Sequence, residues 1–184
     1  MQATLLNLDQ HLSTRRPGFY ADLRTSLKEP DFDVLERQYK RKISPEIRAL
    51  YQWKNGQQER SFDTFVNNTT FLPLQEALET ANTLSGMIGF DFRIKNWWNE
   101  AWLPIFHNGG GDYICFDADG IFTGQQGQLL EFWHADNNRN IIAPSLKAFL
   151  QSLTRYYTVT PPEAFDDYFE IDLPEGFPRR FSVK

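Results

Sequence analysis

The chain has 184 residues, 41% of them hydrophobic and 15% aromatic, which is enough to bury one full core and too little for several domains. Its net charge of −5 and pI near 5.2 argue against nucleic acid as a direct ligand, because phosphate binding needs a basic footprint. No apolar run approaches the roughly eighteen residues that span a bilayer, and no basic segment precedes an apolar run of signal length; with the lone Cys115 set between Ile114 and Phe116 as a small buried hydrophobe, the expectation is a soluble cytoplasmic protein.

Residues 1–42 read as a helical N-terminal segment, with helices around Phe19–Leu27 and Asp33–Tyr39. Ser44-Pro45-Glu46 then supplies an N-cap, a first-turn proline and a first-turn acid. Ile47, Leu50 and Tyr51 follow on one face, and Asn55-Gly56 reads as a stop, so a helix is expected over 45–54 with Gly56 left-handed and Trp53 buried against a sheet. A further helix covers Leu74–Ser85. Beyond it the pattern changes to short apolar runs punctuated by glycine and aspartate: WLPIF (102–106), DYICF (112–116) and GQLLEFW (127–133) predict three strands of a meander. Leu146, Phe149, Leu150 and Leu153, opened by Pro144, predict the next helix. After Tyr157 come Pro161-Pro162, Pro174 and Pro178 among Phe165, Tyr168 and Phe169, which suggests a tail lying over the domain without regular structure. The fold class is α+β: a mostly antiparallel sheet with helices packed on one face, in a single domain.

Charge is uneven along this plan. Residues 1–60 carry eleven Lys or Arg against eight acids, whereas residues 61–138 carry only Arg93 and Lys95 against ten. Such a stretch is either a solvated face or a surface that meets a basic partner.

The richest stretch in side-chain chemistry is HNGGGDYICFDADG, from His107 to Gly120. Read as an oxyanion loop it lacks a nucleophile, since no G-x-S-x-G elbow is present and Cys115 sits mid-strand. Read as a metal site, with His107, Asp112, Asp117, Asp119 and His134 as ligands, it lacks H-E-x-x-H spacing and the acidic positions of a calcium loop. Glycines 109–111 fit best as a turn between two strands, with Gly110 at positive φ and Asp112 capping the turn's amides. Asp117 to Gly120 closes the next connection.

Several separated motifs occur in an order that resembles the SUKH superfamily, which groups a fungal cell-wall-synthesis regulator with bacterial immunity proteins of polymorphic toxin systems. The motifs are LYQWKNGQ, with Trp53, Asn55 and Gly56; the W-x-P-I strand from Trp102, its glycine turn at Gly110 and the segment from Asp112 to Asp117; and the G-x-x-G-Q turn ending in Gly127 and Gln128, which leads to His134. The resemblance covers residues 43–154 and leaves 155–184 as an aromatic and proline-rich tail packed on the core; Trp97-Trp98 and the tail lie outside its pattern.

The resemblance implies function by binding, with no catalytic, metal or cofactor site, and in the bacterial branch a cognate toxin as partner. That toxin would be basic, such as a nuclease domain. Asp63, Asp119, Glu131 and Asp136 are then expected to be exposed and grouped, with Trp97 and Trp98 as aromatic anchors; Trp53, Trp102 and Trp133 are expected in the core. Two other readings stay open: a regulator or scaffold resembling the fungal branch, and a metal-dependent enzyme using His107, Asp112 and His134.

Overall fold

Six strands form one antiparallel sheet whose spatial order follows the sequence, β1-β2-β3-β4-β5-β6. They are β1 (Thr70–Phe71), β2 (Trp102–His107), β3 (Tyr113–Asp117), β4 (Gln128–Phe132), β5 (Asn138–Ala143) and β6 (Arg179–Ser182). The helices are α1 (Gln2–Arg15), α2 (Pro17–Ala21), α3 (Glu29–Tyr39), α4 (Pro45–Trp53), α5 (Leu74–Gly86) and α6 (Leu146–Val159). This is a computed structural model that describes residues 1–59, 61, 63–165 and 169–184. The α+β class and the antiparallel sheet agree with the sequence.

The local causes are legible. At α4 the Ser44 hydroxyl accepts from the Ile47 amide, Pro45 fills the first turn, and Ile47, Leu50 and Tyr51 turn to the core. At α6, Ser145 rather than Pro144 provides the cap, accepting from Ala148 N at 3.1 Å. Helix α3 begins earlier than expected, at Glu29, because the Asp31 carboxylate accepts from Lys28 N at 2.7 Å and Pro30 fits the first turn. The helix expected over Phe19–Leu27 is only the five residues of α2; beyond it Leu23 bridges Gln57 in extended form.

Three strands were not expected. β1 is a two-residue edge, and β5 hides behind the polar run Asn138-Arg139-Asn140. β6 comes from the tail, which therefore has regular structure after all: Arg139 pairs with Phe181 and Ile141 with Arg179. Of the tail aromatics, Phe169 is buried and stacks on Tyr156 at 4.4 Å; Tyr168 lies outside the described residues.

Register separates the two sheet faces. Ile114 is opposite both Phe106 and Glu131, while Tyr113 is opposite Phe132, so these two sets point to opposite sides. On the first side Phe106 meets Phe149 of α6 at 6.0 Å. On the second, Trp98 stands edge-on to Phe132 at 5.0 Å and to Trp102 at 5.6 Å. A single apolar core connects both layers. Among the described residues no helix is long and apolar enough to cross a membrane.

Candidate functional site

The antiparallel meander sorts the chemistry-bearing residues to two ends of the sheet. At one end, the β3–β4 connection, Asp117 is fully buried. Its Oδ1 accepts from the amides of Asp119 at 3.2 Å and Gly120 at 3.1 Å, and its Oδ2 accepts from Gln128 Nε2 at 2.8 Å. Gln128 donates also to the Ile121 carbonyl and accepts from the Thr123 hydroxyl, and Gly127 N donates to the Asp117 carbonyl. Burial pushes the Asp117 carboxyl above its ordinary range, against the pull of its donors. Asp117, Gly127 and Gln128 thus hold a long turn together, while Asp119 at its tip is exposed.

At the other end, Asn108 and not Asp112 organises the glycine turn. The Asn108 Oδ1 accepts from Gly110 N at 2.8 Å and Asp112 N at 3.2 Å, as an asparagine does when it mimics a turn's backbone. Positive φ falls on Gly109 (77°) and Gly111 (93°), so the expectation for Gly110 is corrected. Asp112 reaches instead across to the β4–β5 turn: its Oδ1 accepts from His134 N at 2.9 Å and lies 2.8 Å from His134 Nδ1. Burial acts to raise Asp112, but these bonds and one from Asn108 outweigh it and hold the carboxyl below its ordinary value.

The Trp53-Asn55-Gly56 turn joins three elements. The Asn55 side chain accepts from Leu74 N at 3.0 Å, capping the start of α5 from a distance. Gly56 is left-handed at φ 77° as expected. Its reason is close approach rather than helix termination, because α4 already ends at Trp53 and a Cβ on Gly56 would sit 2.3 Å from Pro73 N. Trp53 is half-buried, not buried against the sheet: its Nε1 donates to the Asp9 carboxylate of α1 at 2.7 Å, and its ring meets Phe65.

The tryptophans are redistributed. Trp102 is buried as expected. Trp98 is 2% exposed and donates to Ser85 Oγ, which removes it from any binding surface. Trp97 is half-buried and its carbonyl and ring serve Arg139, a residue that the sequence reading missed. The Arg139 guanidinium lies between Trp97 and Phe132 and donates to the carbonyls of Trp97, Asp136 and Asn138; burial draws its pKa down to about 10. Trp133, expected in the core, is 51% exposed.

The acidic candidates do not form one group. Asp63 and Asp119 are exposed, Glu131 and Asp136 half-buried, and Asp119 and Asp136 stand at opposite ends of β4. What does gather is Asp112 and Glu131 beside Trp133 and, from the tail, Glu170. The Glu131 carboxyl is raised by burial and by Glu170, with Asn140 donating to its Oε2 at 2.9 Å. The five histidine and aspartate candidates for a metal are split between the two sheet ends, and among the described residues no three His, Cys, Asp or Glu side chains converge to hold an ion.

Residues 26–152 match the SMI1 / KNR4 family (SUKH-1). The match spans more than half of the chain and begins before α3, which the sequence reading had left outside the core. No curated protein matches it. The chain belongs to the SMI1 / KNR4 family.

Proposed function

We propose that this chain is a non-enzymatic immunity protein that binds and neutralises a cognate, basic toxin in the cytoplasm of the cell that makes both. The observation that carries the reading is family membership over residues 26–152; the family is generally non-catalytic and associated with toxin-immunity partners. The acid excess of residues 61–138 adds support through the part of it that gathers, Asp112 and Glu131 beside Glu170, since acids grouped on one surface raise encounter rates with a partner of opposite sign.

The test is co-expression with the product of the gene immediately upstream, followed by co-purification and a growth assay. A stable complex and rescue of growth are expected. If the neighbouring genes encode housekeeping proteins and no toxic partner is found, the regulatory or scaffold role takes its place.

A further inference from the structure

The acidic end of the sheet contains a cleft of about 420 Å³. Its floor is the cross-strand pair Ile114 and Glu131. One wall is built from the loop at Asn67 and Asn68 and the tail, which are fastened to each other: Asn67 N donates to the Phe169 carbonyl at 3.0 Å and Asn67 Oδ1 accepts from Ile171 N at 3.1 Å. Trp133 also lines the cleft. Its indole has neither a hydrogen bond nor a ring partner among the described residues, although 51% of its surface is open. The Glu131 Oε1 likewise has no donor among the described residues, while Oε2 is matched by Asn140. Glu170 stands near enough to oppose ionisation of Glu131. Arg180, paired across the strands with Asn140, is turned toward Asp136 at 3.9 Å, and the His134 ring stands against the lining Asp112 at 2.8 Å.

We propose that this cleft receives an arginine side chain presented by a basic protein partner. A half-buried carboxylate with one unmatched oxygen, a second carboxylate beside it and a flat aromatic wall fit a guanidinium better than an ammonium. The planar guanidinium forms paired N–H···O bonds to a carboxylate, stacks on an indole and is weakly hydrated. The volume admits one long side chain with the backbone that carries it. The proposal deepens the binding role above by naming the surface and the partner chemistry, and its test does not depend on having the toxin.

The probe is N-acetyl-argininamide, with N-acetyl-lysinamide and N-acetyl-norleucinamide as comparisons, titrated into the ¹⁵N-labelled full chain. Saturable shifts of the Trp133 indole N–H and the Asn68 amide are expected with the arginine probe. Binding should be about tenfold weaker in Glu131→Gln, a loss of about 1.4 kcal/mol, and weaker again in Glu131→Gln with Glu170→Gln. Glu131→Gln is isosteric and Trp133→Leu alters an open side chain, so a native spectrum outside the cleft reports that each variant folds. Absent shifts, equal shifts from the norleucine probe, or undiminished binding in the Glu131 and Glu170 variants would overturn the proposal; tighter binding of the lysine probe would overturn the choice of arginine. In the co-purification assay, a complex that survives Glu131→Gln, Glu170→Gln and Trp133→Leu together removes the cleft from the interface and leaves the immunity role standing. Arginine binding without any toxin complex does the reverse.

Discussion

At the Asp117–Gln128 end of the sheet both carboxylate oxygens of a buried aspartate are matched by donors within one connection. At the Asp112–Trp133 end, aspartate, glutamate, asparagine and histidine join separate segments, and an indole and a carboxylate oxygen stay open. The residue types are much alike. What differs is burial and closure: a fully desolvated acid must be satisfied internally, whereas a half-buried one at the rim of a cleft can wait for a partner. One end is therefore closed on itself, and the other is the end we propose for recognition.

That division predicts its largest effects at the closed end. A Cβ on Gly120, at φ 71°, would lie 2.5 Å from the Gln125 backbone, so Gly120→Ala combines left-handed strain with overpacking and should cost about 3 kcal/mol or more. Asp117→Ala would strand one N–H of Gln128 Nε2, whose other N–H keeps the Ile121 carbonyl, and two backbone amides, and should cost about 2 to 4 kcal/mol. Urea denaturation measures both. If either substitution is tolerated without loss, the connection is not the closed unit described here.

Across the sheet the glycine turn should respond less and unequally. Gly111→Ala places a side chain at φ 93° and should cost about 1 kcal/mol or more. Gly110→Ala, without positive φ and with only the Asn108 side chain at 3.4 Å, should change stability by about 0.5 kcal/mol or less. Equal losses at the two positions would contradict the assigned backbone.

The two aspartates should also respond to pH with opposite sign. Asp112 is held below its ordinary value near 3.8, so its ionised form is favoured by folding. The stability difference between wild type and Asp112→Asn is then full above that value and shrinks as pH falls through the lower folded pKa. Asp117 is raised from the same reference, so the fold favours its protonated form. Wild type should gain on Asp117→Asn as pH falls from above the raised pKa toward 3.8. Denaturation at intervals over roughly pH 3 to 6 reads both differences, and parallel curves would reject the contrast.

How much of this was legible in sequence follows the same contrast. Helices α4 and α6 and the strands β2 to β4 were readable because caps, apolar spacing and turn residues are local signals. Asp117 and Gln128 were identifiable through the motif order that resembles the family; in the structure their bonds close within one connection. The cleft was not readable. Glu131, Trp133, Asn67 and Glu170 come from separate segments and converge only where the tail is fastened to the Asn67 loop. β5 was hidden because Arg139 looks like a surface cation until Trp97 and Phe132 enclose it. Asn108 could have been recognised, since an asparagine before a glycine run is a common turn organiser.

The smallest predicted effect is the most discriminating for recognition. Asp119 and Asp136 belong to the same acidic stretch but lie at opposite ends of β4, and only the Asp136 end holds the cleft. Charges on an exposed rim act mainly on encounter and contribute about 0 to 1 kcal/mol each. Asp119→Asn, alone or with Asp63→Asn, should therefore leave stability within about 0.5 kcal/mol and leave the association rate with a basic partner and its salt dependence unchanged. Asp136→Asn with Glu170→Gln should slow association at low salt and flatten the salt dependence, because screening would have less charge left to act on. Stopped-flow mixing at low and high salt separates the two pairs. If all four substitutions act alike, the partner feels the net charge of the whole molecule and the acidic end of the sheet has no special place in recognition.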